Sequence, residues 1–174
     1  MTRPARRGLT LVETIIALSL MTIVFVLIGS LFVASLSTWR RGADLRLAQV
    51  EASTLVDLMA RDIRSASQAP GPESAPAAAE EDGEPALSML VTGSPATGAQ
   101  WVVYAWRARL GEVTRRTFTP APDGRPVRGD VRIVATGVEQ LTVTRIGDGL
   151  SIEARVRRGR DVATSRATAS PRNP

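Results

Sequence analysis

The sequence predicts an α+β fold in which a long N-terminal transmembrane helix packs on an antiparallel sheet. Three observations support this prediction. Residues 14–38 contain no charged side chain, and small or apolar residues then recur at helical spacing as far as residue 66. From residue 87 onward, apolar and polar residues alternate with a period of two, which is typical of strands. A helix followed by a run of strands is the order expected of an α+β domain.

The composition excludes several kinds of chemistry. All 22 basic residues are arginine, and the chain contains no Lys, His or Cys. Without these residues we expect no His-based triad, thiol nucleophile, ordinary zinc site or Schiff base. We therefore predict no cofactor and no metal, and we expect that the chain is not an enzyme.

The net charge of +5 is unevenly distributed. Arg3, Arg6 and Arg7 lie within the first eight residues, which contain no acid, and the remainder has a net charge of only +2. The other arginines are interspersed with acids, and the few aromatic residues are not interleaved with them. This pattern is typical of a solvated sheet face, so we expect no nucleic-acid partner.

The uncharged run from Thr14 to Thr38 predicts a single membrane-spanning helix. Its 25 residues extend about 37 Å as a helix, compared with about 30 Å of bilayer hydrocarbon. Arg40 and Arg41 end the run, with Trp39 beside them as an interfacial anchor. The arginines of the short leader favour an N-terminus on the cytoplasmic side, and therefore a C-terminal domain on the other side of the membrane.

A cleavable secretory signal fits this segment poorly. Such signals have an apolar region of roughly 7 to 15 residues followed by a small-residue cleavage site. Here the apolar run is longer, and the small residue, Gly8, precedes it. A plain signal anchor remains open, but it leaves Gly8 and Glu13 unexplained.

The stretch "RRGLTLVE" (Arg6 to Glu13) resembles the leader and cleavage motif of type IV prepilins and type II secretion pseudopilins. The resemblance implies that residues 1–8 are a leader removed by a prepilin peptidase after Gly8. It also implies an N-methylated Leu9 as the new terminus and Glu13 as the acid retained for assembly. Leu9 departs from the family pattern, in which phenylalanine is commonest at this position.

A physical role for Glu13 follows from this resemblance. The free amine of Leu9 on one subunit could pair with Glu13 of a neighbour inside the lipid, and the pair would offset the cost of burying either charge alone. Glu13 would then fix the register between neighbouring helices. The alternative is that Glu13 extends to the cytoplasmic headgroups without a partner.

Beyond the membrane we predict a periplasmic continuation of the helix over residues 40–68, after the membrane and assembly helix of residues 9–39. One face of this helix carries a stripe of small and apolar residues, which Val56 widens. Residues 69–86 are predicted to form a flexible Pro/Ala/acidic loop. Its acidic residues, Glu80, Glu81, Asp82 and Glu84, could suggest a calcium site, but their spacing is more typical of a solvated acidic loop. The stripe consists of Ala48, Ala52, Leu55, Met59, Ile63 and Ala66.

We predict a sheet domain over residues 87–165 and a frayed tail over residues 166–174. One apolar and one polar face per strand indicate an antiparallel sheet packed on the helix. Residues 119–130 read as a loop. The predicted strands are "ALSMLV", "WVVYAWRAR", "EVTRRTF", "VRIVATG", "VEQLTVTRI" and "LSIEARVRR".

This order resembles the pilin architecture along almost the whole chain. Among its branches, "LVDLMARDIRSA", "VVYAW" and "ATGVEQLTVTR" look most like the J-type minor pseudopilin and related minor pilins. The resemblance implies a minor subunit of a type II secretion system, type IV pilus or competence system, at or near the filament tip. Its implied partners are other minor and major pilin-like subunits, the prepilin peptidase, the inner-membrane assembly platform and the bilayer.

A second interpretation is a membrane-anchored periplasmic enzyme or binding domain whose N-terminus only mimics the motif. It requires a polar cluster in a pocket. The carboxylates available for one, Glu112, Asp130, Glu139 and Glu153, show no paired spacing. The motif at Gly8 and Glu13 favours the filament subunit, since an ordinary anchor needs neither residue.

Overall fold

The computed structural model describes residues 10–67, 84–92, 98–120 and 126–172. The chain divides into two compact units, Met1–Gly42 and Ala43–Pro174. Helix α1 (Leu11–Arg64) contributes to both units, and all the strands belong to the second. The predicted fold class is confirmed at this level, since one long apolar N-terminal helix is followed by antiparallel sheets.

In the first unit, α1 is helical from Leu11 onward, and its large apolar side chains are exposed. A helix satisfies all its interior backbone hydrogen bonds within the segment, as a hydrocarbon environment requires. So long an exposed apolar surface is unsuited to water. By length and composition, α1 could span a membrane, as the uncharged run predicts.

The second unit combines the C-terminal half of α1 with two antiparallel sheets. The first sheet has four strands in the order β1-β2-β3-β4, and the second has three in the order β5-β6-β7. Within each sheet, strands that are consecutive in the sequence pair with each other. The strands are β1 (Glu84–Thr92), β2 (Ala99–Arg107), β3 (Glu112–Pro120), β4 (Pro126–Ala135), β5 (Val138–Ile146), β6 (Gly149–Arg158) and β7 (Asp161–Ala169).

One hydrophobic core joins α1 to both sheets. Every residue of the predicted helical stripe is buried, as is Val56. From the first sheet the stripe meets Leu87 and Met89 of β1, and from the second it meets Ile152 and Val156 of β6. The period-two pattern of β6 is confirmed, because Ile152, Ala154 and Val156 are buried while Glu153, Arg155 and Arg157 are exposed.

The predicted antiparallel sheet is divided in the structure, since the described strands form two sheets. The break falls between β4 and β5, where Gly137 adopts a φ of +67° that favours glycine. The carbonyl oxygen of Gly137 accepts a hydrogen bond from Arg157 N at 2.8 Å, and Val138 N donates to Gly111 O at 2.8 Å. These bonds turn the chain out of the first sheet and start the second.

Strand boundaries differ from the prediction in two places. The predicted loop 119–130 overlaps β3 and the first half of β4, because an edge strand tolerates Pro126 and the register shift near Gly129. The predicted frayed tail is ordered as far as Ala169, because β7 pairs with β6 at nine successive positions.

The boundaries between helix, loop and sheet also shift. Helix α1 ends at Arg64, short of the predicted residue 68, because Ser67 N donates to Leu90 O at 2.9 Å and draws the chain onto β1. Residues 84–86, predicted as the end of the loop, begin β1. The rest of that loop, residues 69–83, lies outside the described residues, and so does the acidic group as a possible ion site.

We predict that Gly137→Ala destabilises the second unit far more than Gly147→Ala. Both glycines have positive φ, +67° and +58°, so each alanine costs about 1–2 kcal/mol in backbone strain. At residue 137 the new Cβ would also lie 2.5 Å from Arg157 O, whereas nothing lies within 4 Å at residue 147. We expect a total loss of about 3 kcal/mol or more for Gly137→Ala. Urea unfolding of the full-length protein in mild detergent measures both losses, and equal losses would contradict the prediction.

Candidate functional site

Glu13 lies in the first turn of α1, and its side chain is exposed. Its backbone N–H donates to Thr10 Oγ1 at 3.3 Å, so Thr10 caps the helix. The spacing Thr10-x-x-Glu13 is that of a capping box, and a carboxylate here also favours the positive end of the helix dipole. Sequence reasoning missed this local role, although the spacing was visible.

The other residues of the predicted processing site, Gly8 and Leu9, lie outside the described residues, as do the leader arginines Arg3, Arg6 and Arg7. The structure therefore shows the local setting of Glu13 alone.

The length of α1 indicates the depth of Glu13 in a bilayer. From Glu13 to Trp39 the helix rises about 39 Å at 1.5 Å per residue. A bilayer is about 30 Å thick in hydrocarbon and about 40–45 Å thick with its headgroups. If the helix stands upright with Trp39 at one interface, Glu13 lies among the headgroups of the other. In a single subunit, the free-energy cost of placing the carboxylate among the headgroups is then lower than the cost of burying it in the hydrocarbon.

Within the apolar run, serine and threonine hydroxyls bond back to the helix. Such bonds satisfy polar groups that hydrocarbon would leave without partners. The run therefore behaves as an apolar rod despite its hydroxyls. The donors are Thr14 to Thr10 O, Ser19 to Ile15 O, Thr22 to Leu18 O, Ser30 to Leu27 O, and both Ser37 and Thr38 to Ala34 O, at 2.7–3.2 Å.

In the second unit, a buried polar cluster joins α1 to the first sheet. Asp62 Oδ2 accepts hydrogen bonds from the Tyr104 hydroxyl at 2.7 Å and from Arg115 Nε at 2.8 Å. Burial raises the pKa of Tyr104 well above its ordinary value, and the charge of Asp62 raises it further. The phenol therefore remains a donor and cannot serve as a general base near neutral pH. Sequence reasoning did not identify this cluster.

A second polar cluster joins α1 to the second sheet. Glu51 Oε1 accepts from Thr136 N at 2.7 Å and from Thr136 Oγ1 at 2.9 Å, while Glu51 Oε2 accepts from Arg158 Nε at 2.9 Å. Burial acts to raise the pKa of Glu51, but the bonds from Thr136 and Arg158 outweigh it and lower the pKa below its ordinary value. Both clusters therefore hold the helix in place, and neither leaves a reactive group free.

Two of the carboxylates named for an anchored enzyme, Glu112 and Glu139, are paired with arginines. Glu112 pairs with Arg107 at 3.4 Å, and Glu139 contacts both Arg155 and Arg157. The hydrogen bond from Arg157 lowers the pKa of Glu139. Across the described ranges, no group of three or more acidic residues is arranged to hold a metal ion.

No family model, curated protein or solved structure matches this chain. Its function is therefore inferred from its own residues. Two features indicate a function: the acid in the first turn of the apolar helix, and the domain that packs on the same helix.

We predict that Glu51→Gln destabilises the protein above about pH 5 by about 1 kcal/mol, since the charge-assisted bonds from Arg158 and Thr136 are weakened at a partly solvated site. Because the folded pKa of Glu51 is lowered, its stabilisation is present above the unfolded value of 4.5 and is lost as pH falls through the folded pKa. The difference between wild type and variant should therefore shrink towards pH 3. Chemical unfolding of the full-length protein at pH 7, 5 and 3 measures it.

Glu139→Gln is the matched control for this measurement. It also removes a carboxylate with arginine partners, but the pair is exposed to solvent, so its effect should be much smaller. A Glu51→Gln effect of the same size at all three pH values would show that charge at Glu51 does not contribute.

Proposed function

We propose that this chain is a minor pilin-like subunit, a pseudopilin, of a type II secretion system or type IV pilus. In this proposal it has a pilin-like fold, is incorporated at or near the filament tip and helps to initiate assembly. One observation carries the proposal. An acid lies in the first turn of a helix that is apolar through Thr38 and then forms the core of an α+β domain.

The proposed steps are those that the resemblance to type IV prepilins implies. A prepilin peptidase removes residues 1–8, and Leu9 becomes an N-methylated amine that still carries a positive charge. This amine pairs with Glu13 of a neighbouring subunit. In a bundle of helices away from the headgroups, each charge would otherwise be costly, and their hydrogen-bonded pairing offsets that cost. The pair therefore favours one register between subunits.

The proposed location is the inner membrane, with the N-terminus cytoplasmic and the second unit periplasmic before assembly into a periplasmic filament. The proposed partners are other minor and major pilin-like subunits, the prepilin peptidase and the assembly platform. The subunit acts without catalysis of its own. Support for this comes from the two polar clusters of the second unit, whose acids are already engaged by arginines.

We predict that the intact mass of membrane-extracted protein shows loss of Met1 to Gly8 and gain of one methyl group on Leu9. Both changes should depend on co-expression of a prepilin peptidase with its methylating activity. Gly8→Ala is the matched variant, since it should remain at full length under the same conditions. An uncut wild-type N-terminus in the presence of the peptidase would instead indicate an anchored periplasmic domain.

We further predict that Glu13→Gln leaves cleavage intact and reduces co-purification with partner minor subunits about tenfold or more. The reason is that a hydrogen bond between charged groups contributes about 1.5–3 kcal/mol, and 1.4 kcal/mol corresponds to a factor of ten. Co-purification from membranes that express the candidate partner set measures the loss.

Thr10→Ala is the control for this variant. It removes the cap on the Glu13 N–H but keeps the carboxylate, so partner binding should be retained. If Thr10→Ala reduced co-purification as much as Glu13→Gln, the acid would be serving the helix end instead of a neighbouring subunit.

A further inference from the structure

Three consecutive exposed side chains follow the apolar run in the first unit. Trp39, Arg40 and Arg41, here named the collar, occupy consecutive positions of α1, which is continuous through them. Successive residues of a helix with 3.6 residues per turn point about 100° apart. The three side chains therefore point in three directions that together span about 200° of the helix circumference.

The collar is free of protein partners within the described ranges. Trp39 is 74% exposed, and both arginines are exposed. None of the three side chains forms a hydrogen bond or ion pair with any described residue. Two adjacent guanidinium groups repel each other, so a counter-charge from outside the chain would stabilise both.

We propose that the collar binds the headgroups of anionic phospholipids at the membrane interface. Guanidinium groups bind phosphate oxygens through paired N–H donors, and an indole ring favours headgroup depth. An anionic headgroup has no cation to offset its phosphate, so it attracts the arginines more strongly than a zwitterionic headgroup does. This inference rests on the membrane insertion of α1 that the proposed function assumes.

The arrangement of the collar favours lipid over a protein partner. The three directions span about 200°, which is more than one side of the helix, so a protein docked on one side would leave an outer side chain of the collar without a partner. Lipid headgroups encircle a spanning helix and can meet all three. The position also fits, because about 39 Å separates Trp39 from Glu13, which is close to the distance between the two headgroup layers.

The test uses the full-length protein in vesicles of equal parts phosphatidylglycerol and phosphatidylcholine. Native mass spectrometry then counts the lipids of each class that stay bound. Two arginines near an anionic surface should give a preference of about thirty-fold for phosphatidylglycerol, about five-fold from each. We expect R40Q/R41Q to bring this preference close to one.

The matched control is R109Q/R160Q, which removes the same net charge from two exposed turns of the second unit. It should keep the preference. An undiminished preference in R40Q/R41Q would overturn the proposal, and so would an equal loss in the control, since net charge alone would then account for it.

Two further readouts use unmodified arginines. Fluorescence of Trp39, isolated by comparison with W39F, should be quenched more by lipids brominated near the headgroup than by lipids brominated deep in the chain; the opposite order would overturn the proposal.

Failure of the wild type to float with vesicles would contradict membrane insertion and so the proposed function itself. If the protein floats with vesicles but shows no preference for phosphatidylglycerol, only the proposal about the collar is overturned.

Discussion

The second unit depends on the burial of one face of α1 against two sheets. The two sheets share few contacts with each other. Each has an apolar face that must be covered, and the stripe from Ala48 to Ala66 covers both. Burial of the larger side chains of the stripe contributes about 1.5–3 kcal/mol each, so the stripe stabilises both sheets at once. Loss of the helix would therefore leave two uncovered sheets.

Two carboxylates fix the position of this face of α1 against the two sheets. Glu51 and Asp62 are separated by about three helical turns, and each accepts from an arginine of a different sheet, Arg158 of β6 and Arg115 of β3. Apolar contacts alone permit small rotations and slips of a helix. Directional bonds at two points along the helix resist both motions. A charged side chain that loses its partner in such a site costs more than the bond itself contributes, so the two clusters also oppose alternative packings.

The helix, its buried stripe and strand β6 could be predicted from the sequence, because each shows a regular hydrophobic period. The sequence did not reveal β7, since the alanines, serine and threonines of "DVATSRATA" are too small to give a strong alternation. Nor did it reveal the division into two sheets, which depends on a single backbone turn at Gly137. Asp62 was missed because an acid on an apolar stripe gives no sign of its partner. Its position three residues after Met59 was the available signal.

The two ends of the apolar run place different demands on a subunit that leaves the bilayer. Glu13 and the collar each lie near a headgroup layer when the helix stands upright, so the inserted state is inexpensive at both ends. On transfer into a filament, the proposed amine of a neighbouring Leu9 would replace the headgroup environment of Glu13. Arg40 and Arg41 have no corresponding replacement among the described residues of their own chain. Under the proposed function, the contacts of the acid therefore favour assembly, and the lipid contacts of the collar favour retention in the membrane. The balance between them depends on which partners the filament supplies for the two arginines.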